Sequence, residues 1–332
     1  AISGSGARSR SRRSMRPRCC SNSAPASAPT SPGAVAAFTV AGPDLLYAGW
    51  VLADPFAYPL ALAAVGAAVA ALSRPTRKSQ LAFLALAGLT TFSRIQFAIL
   101  PLCFVGALLV LGVRERRLRR ALSEQRLLLL LLALSLLASL LAGPNRLLGY
   151  YDGVFANDFN PWPILKWFGT DAMLLLYSSG WVLVPGALVG LALVLWRPRS
   201  RAELAFAAFA FLFSVALLLE AAFYGANGAD RIQERYFFYI LPLAALLFGL
   251  YAARGFPFRR HHAVVAAALV LVSVRVPLAG FSAAQGKMNS PFLLAMGELM
   301  GHLYAEQQRA RAEFATAFAS YVRPASRRRM AR

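Results

Sequence analysis

The sequence predicts an all-α protein, a polytopic bundle of transmembrane helices with about nine crossings, and two observations lead there. Of 332 residues, 58% are hydrophobic and 15% charged, and the apolar residues come in long blocks rather than in alternating or heptad patterns. A helix that is apolar on every side offers no face to water, so its solvent is lipid. The second observation is the placement of charge. The net charge is +21, and most Arg and Lys stand within a few residues of an apolar block, where they fix orientation and meet anionic headgroups of membrane lipid. Nucleic acid is not the partner such a charge implies, because no aromatic platform is interleaved with it.

Three regions follow. Residues 1–30 are rich in Ser, Pro, Ala and Arg, carry six Arg from Arg8 to Arg18 and contain no apolar run, which predicts a disordered basic arm and not a signal peptide. Residues 31–280 form the transmembrane domain. It opens with a weak block near 33–50, interrupted by Gly42, Pro43 and Asp44, and a stronger one from Pro55 to Leu72. Leu81–Val113 is too long for one span and has Ser93, Arg94 and Gln96 at its middle, so two helices meeting at that polar point are expected. Further blocks run over Leu127–Ala142, Ala172–Trp196, Glu203–Tyr224, Tyr236–Ala253 and His262–Gly280. Residues 281–332 read as a surface amphipathic helix, Leu293–Tyr321, and a basic tail.

Counting charges turns the blocks into an orientation. The arm and the loops at 73–80, 114–126, 197–202 and 254–261 hold 21 Lys or Arg, whereas Arg94, the loop at 143–171 and the loop at 225–235 hold five. With nine crossings the two sets fall on opposite faces, which predicts a plasma-membrane protein with a cytoplasmic N-terminus. The tail then falls outside despite Arg327, Arg328, Arg329 and Arg332, a conflict that re-entry of the tail would remove. Cys19, Cys20 and Cys103 supply no disulfide framework, and His261, His262 and His302 have no metal-ligand spacing. No cofactor is legible.

Ionisable groups in or beside apolar blocks cost about 2.5 to 3.5 kcal/mol at a helix centre, so each is a candidate site. Asp54 before Pro55 suits a helix cap and equally a base. Arg94 with Gln96 suits a phosphate or a headgroup, or a snorkelling interfacial Arg. The loop 143–171 combines aromatic, Asn, Gly and Asp residues, a composition that stacks on sugars but also builds an interfacial belt. Its candidates are Tyr150, Tyr151, Asp152, Asn157, Asp158 and Trp162. The loop 225–236 concentrates Asp230, Arg231, Glu234, Arg235 and Tyr236 at the start of a span, a density of charge that favours function. Glu220 and Arg275 lie within spans, where pairing for stability accounts for them.

The stretches PDLLYAGWVLADPFAYPLALAA, LTTFSRIQFAILPL and DRIQERYFFYILPLAALL, in that order and spacing, resemble actinobacterial members of the glycosyltransferase-C superfamily, polytopic enzymes related to protein mannosyltransferases. The resemblance covers roughly residues 33–290. The family's Pro-aromatic-acid, Arg-Val/Ile-Gln-Phe and Glu-Arg-Tyr motifs fall here on Asp54 with Tyr58 and Pro59, on Arg94–Phe97 and on Glu234–Tyr236. It implies sugar transfer from a polyprenyl-phosphate donor to an acceptor at the outer face. Arg94 or Arg235 would hold the phosphate, Asp54, Asp152 or Asp230 would act as base, and Gln96, Tyr150, Tyr151, Asp158, Glu234 and Tyr236 would contact substrate. In that family the catalytic acid lies in a first outer loop after an initial helix. Here the Arg/Ser-rich arm occupies that region, so a truncated or misjoined start, and even an inactive fragment, is the expectation. The alternative class is a transporter or flippase-like carrier, which predicts two pseudo-symmetric halves; the sequence shows no such repeat.

The orientation has a direct check. In an otherwise cysteine-free protein, Asp152→Cys is expected to react with an impermeant maleimide in intact cells, and Leu118→Cys only after permeabilisation; the opposite pattern reverses the topology.

Overall fold

The computed structural model of the protein describes residues 54–143, 160–179, 181–229, 234–273, 302 and 305–316. Among the described residues all regular structure is helical. The helices are α1 (Asp54–Ser73), α2 (Arg77–Ser93), a 3-10 turn (Ile95–Ile99), α3 (Leu100–Arg114), α4 (Leu118–Glu124), α5 (Arg126–Ala142), α6 (Pro161–Ser178), α7 (Leu183–Trp196), α8 (Arg201–Tyr224) continued by a π-helical turn (Gly225–Ala229), α9 (Glu234–Phe237), α10 (Ile240–Ala253) and α11 (Arg259–Ser273). Residues 305–316 are also helical and exposed. The basic arm, the weak block near 33–50, Arg275 and the end of the tail lie outside the described residues.

Three stretches, Phe56–Ser73, Ile95–Arg114 and Arg201–Asn227, are long and apolar enough to cross a membrane. The number is five if two bent pairs each count as one span: Leu118–Glu124 with Arg126–Leu141, bent by 73°, and Pro161–Ser178 with Leu183–Trp196. Helix α10 is apolar but shorter. The exposed surface supports lipid as the solvent: α5 alone presents Leu130, Leu134, Leu136, Leu137, Leu140 and Leu141 outward, an apolar face that water would not tolerate.

The longest helix is the hub. Helix α8, about 36 Å long at 1.5 Å per residue, packs against α1, α3, α6, α7, α9, α10 and the 3-10 turn. Its buried side includes Leu204, Ala208, Phe209, Phe213, Leu217 and Ala221. Small residues let its neighbours come close. In α1 the buried positions Ala57, Ala61, Ala64, Ala68 and Ala71 recur at helical spacing, and α1 packs on both α2 and α8. Helix α7 carries Gly186 and Gly190 four residues apart, and a Cβ at Gly190 would run into the Leu247 carbonyl of α10. The α7–α10 contact depends on that close backbone approach.

The four basic loops meet at one end of the bundle, joined by a relay of polar contacts. Gln80 Nε2 donates to Glu124 O at 2.8 Å and Gln125 Nε2 to Ala71 O at 2.6 Å, joining the first loop to the second. Arg114 donates to Trp196 O at 2.6 Å, and Arg201 lies 3.2 Å from Glu115 and 3.8 Å from Glu124, joining the second to the third. Arg254 pairs with Glu203 and donates to Arg197 O at 2.8 Å, joining the third to the fourth. Ser200 caps α8, its Oγ accepting from Glu203 N at 3.1 Å.

Two boundaries differ from the sequence expectation. The block read as Ala172–Trp196 is two helices, and α6 begins at Pro161, inside the stretch read as an outer loop. The local reason is a strong start signal: Asn160 Oδ1 accepts from Trp162 N at 3.1 Å and Pro161 stands in the first turn. Likewise the block from Tyr236 splits into α9 and α10.

Replacing Gly190 by Val is expected to lower unfolding stability in detergent by about 1 to 3 kcal/mol through overpacking. Gly88→Ala, where nothing lies within 4 Å of the added carbon, should leave the thermal midpoint unchanged or raise it. Equal midpoints for the two variants would remove the role given to the α7–α10 approach.

Candidate functional site

At the end of the bundle away from the basic loops, the chain breaks its helices where the sequence places polar residues. Helix α2 ends in Thr90, Thr91 and Ser93, whose hydroxyls donate back to the carbonyls of Leu86, Ala87 and Thr90 at 2.6, 2.8 and 2.7 Å. Such back-bonding competes with the helix ladder. Arg94 then takes an extended backbone, φ −152° and ψ 123°, and the 3-10 turn leads into α3, with Pro101 in its first turn. The expected meeting of two helices at this polar point is what the structure shows.

The consequence is that Arg94 leaves the helix line and reaches α9. Its guanidinium carbon lies 5.0 Å from the centre of the Tyr236 ring, and that of Arg235 lies 5.7 Å from the same ring, so two cations share one aromatic partner. Tyr236 is buried and stacks on Tyr224 at the end of α8, with ring centres 5.5 Å apart. Tyr58 of α1 stacks on Phe238 at 5.3 Å, and Phe97 meets Tyr239 edge-on at 4.9 Å. The three sequence stretches that carry the family resemblance therefore converge, although some 180 residues separate the first from the last.

Acidic groups accompany the cations. Glu234 is buried at the start of α9, and Asp171 is buried on α6, which packs against α9. Asp171 Oδ1 has no hydrogen-bond partner among the described residues. Glu220, one turn from the end of α8, feels the charge of Arg94; its Oε2 is buried and likewise lacks a hydrogen-bond partner. Gln96, 3% exposed, has neither amide atom hydrogen-bonded among the described residues, which is costly in an apolar interior.

Beside this cluster lies a cavity of about 880 Å³ lined by Ile99 of the 3-10 turn, by Trp162, Leu165 and Phe168 of α6, and by Val215, Leu219, Glu220 and Phe223 of α8, among others. Among the described residues Glu220 is the one ionisable residue in its lining. The π-helical turn that continues α8 sets Gly225 against the Trp167 ring, 3.1 Å from where a Cβ would stand, a tight fit, and π turns commonly accompany functional sites.

Of the sequence candidates, Arg94, Gln96, Glu234, Arg235 and Tyr236 are brought together. Asp54 opens α1, and its side chain is outside what the structure describes; Trp162 lines the cavity. Tyr150, Tyr151, Asp152, Asn157, Asp158, Asp230 and Arg231 lie outside the described residues. Sequence reasoning missed Asp171, visible only as an acid entering an apolar block; Glu220 lines the cavity, and Arg275, with which the sequence suggested it could pair, lies outside the described residues. Set against models of protein families, curated proteins and solved structures, the chain matches none.

The electrostatic link between Arg94 and Glu220 is measurable. In a double-mutant cycle of Arg94→Gln and Glu220→Gln, unfolding free energies in detergent are expected to be non-additive by about 0.5 to 3 kcal/mol. Additive effects would show that the two groups act independently.

Proposed function

We propose that the protein is an integral membrane glycosyltransferase, or a remnant of one, that takes its sugar from a polyprenyl-phosphate donor at the outer face of the plasma membrane. The observation that carries this reading is the pairing of two guanidinium groups, Arg94 and Arg235, around Tyr236 next to a large apolar cavity. A lipid-linked phosphate needs both parts: an apolar channel for its chain and cations where negative charge grows on the leaving phosphate. A bidentate guanidinium suits that phosphate better than an ammonium. Gln96, Glu234 and Tyr236 stand where they can contact the sugar or its phosphate, and Asp54, Asp152 and Asp230 are the candidates for the base.

The full topology belongs to the same proposal. About nine crossings, with the N-terminus in the cytoplasm, place the shared end of the four basic loops inside and the Arg94–Tyr236 cluster outside. That the basic loops share one end of the bundle supports the assignment, and so does the low count of Lys and Arg, five against 21, in the segments assigned to the other face.

The test is transfer by membranes containing the protein, supplied with a panel of labelled polyprenyl-phospho-sugars. Arg235→Ala is expected to reduce turnover about a hundredfold or more while the protein stays in the membrane at its usual level. Unchanged turnover removes the phosphate role of Arg235, and no turnover with any donor ends the enzymatic reading.

A further inference from the structure

Basic loops in general are drawn to headgroups, but one corner of the basic end carries positive charge that the protein itself does not answer. The acids at that end are already engaged. Glu124 lies 2.8 Å from Arg120 and 3.8 Å from Arg201, Arg201 also reaches Glu115, and Arg254 takes Glu203. Arg74, Arg77 and Lys78 of the first basic loop and Arg126 at the start of α5 are exposed and take part in no ion pair among the described residues.

The fold sets these four cations along one seam. Gln80, one turn after Arg77, donates to Glu124 O, and Gln125, next to Arg126, donates to Ala71 O, one turn before Arg74. Helices α2 and α5 both start at this seam, and neither has an acid in its first turn. Cations grouped in this way produce a field that concentrates polyvalent anions.

Apolar surface continues from the same seam. Helix α5 is held to the bundle by its first turns, where it packs against α2, with Leu128 buried and Leu129 and Leu132 partly covered. From Ala133 to Ala138 every residue is exposed, and exposure through more than a full turn means that this part of α5 stands off from the other described helices. Helix α2 in turn leaves Leu81, Leu89 and Phe92 exposed. The two helices therefore close at the basic seam and open toward the middle of the membrane. From Leu130 to Leu141 the exposed wall of α5 is about 17 Å long at 1.5 Å per residue, close to the half-thickness of the hydrocarbon core, about 15 Å.

The occupant that matches is concentrated negative charge joined to hydrocarbon. A soluble polyanion would use the seam and leave the wall bare, and a zwitterionic lipid would use the wall and leave the cations unanswered. Trp196 at the same end is exposed and holds Arg197 over its ring at 5.5 Å, as aromatic and basic side chains do at headgroup level. We propose that the seam between α2 and α5 binds an anionic phospholipid with two phosphates in its head, the phosphates held by Arg74, Arg77, Lys78 and Arg126 and the acyl chains lying in the opening between the helices. Guanidinium groups meet phosphate with paired hydrogen bonds, and four cations exceed what a single phosphodiester charge answers. The site lies at the end of the bundle away from the Arg94–Tyr236 cluster and does not depend on the transferase reading.

The experiment uses the full chain in phosphatidylcholine nanodiscs that contain a small fraction of diphosphatidylglycerol with a diazirine in its acyl chains. Crosslinks are expected at residues 81–92 and 127–137. Unlabelled diphosphatidylglycerol should compete, phosphatidylglycerol about fivefold less well for the phosphate it lacks, and phosphatidylethanolamine not measurably. Arg77→Gln, Lys78→Gln and Arg126→Gln together should weaken labelling about a hundredfold, at about fivefold per cation. Arg199→Gln, Arg259→Gln and Arg260→Gln together remove the same charge from the third and fourth basic loops and should change labelling less than about threefold, because salt screens the distant charges. All six side chains are exposed, so both variants keep the packed bundle.

Equal losses in the two triple variants would show that bulk charge holds the lipid, and equal competition by phosphatidylethanolamine would show that apolar contact suffices; each overturns the proposal. Inositol hexakisphosphate competing as well as the unlabelled lipid also overturns it, and makes the seam a surface for a soluble polyanion.

Discussion

The cost of an unanswered charge in an apolar bundle organises this molecule, and the two ends of α8 show two ways of meeting it. At the Arg201 end the charges are compensated within the protein: Arg201 lies between Glu115 and Glu124, Arg254 pairs with Glu203, and Gln80 and Gln125 satisfy the backbone ends of neighbouring loops. These contacts fix which loops share a face. At the Tyr224 end compensation is incomplete among the described residues. Arg94 and Arg235 share the Tyr236 ring, Asp171 and Glu234 are buried on helices that pack together, and polar atoms of Gln96 and Glu220 are buried with no hydrogen bond among the described residues. Stability alone would not retain such a set, because replacing buried polar groups with apolar ones of similar volume is often favourable.

The contrast explains how one scaffold serves both ends. Helix α8 is apolar along most of its length, so it can be packed on many sides, and the small residues of α1 and α7 bring the neighbouring backbones near. The rigid part ends where the polar part begins. The back-bonded hydroxyls of α2, the 3-10 turn after Arg94, the π turn after Tyr224 and the short α9 all occur at the same end. Each interruption frees backbone from the regular ladder and redirects a side chain toward the cluster, and such irregularity within an apolar region is tolerated where it lines a cavity.

Much of this was legible in the sequence. The apolar blocks at Pro55–Leu72, Leu127–Ala142 and Glu203–Tyr224 reappear as α1, α5 and α8 within a few residues, and the break at Arg94 was visible from Ser93, Arg94 and Gln96 alone. The division of block 172–196 was not, because hydropathy does not register a short polar interruption such as Ser178–Ser179–Gly180, and the start of α6 lay in a capping contact of Asn160 rather than in apolar periodicity. Asp171 and Glu220 were equally hidden: a single acid in an apolar run reads the same whether it faces a partner, a cavity or lipid.

What the sequence by itself determined is the solvent and the element type. Blocks apolar on all sides require lipid, and lipid requires helices, since backbone groups there must be satisfied within the segment. It also determined which loops carry positive charge. Only the tertiary structure decided which polar residues meet. That Arg94 reaches Tyr236 across more than a hundred residues, and that Ile99, Trp162 and Glu220 line one cavity, depends on how α8 is packed and where the helices beside it break. Those facts arise from the shapes of contacts distant along the chain, and no local pattern encodes them.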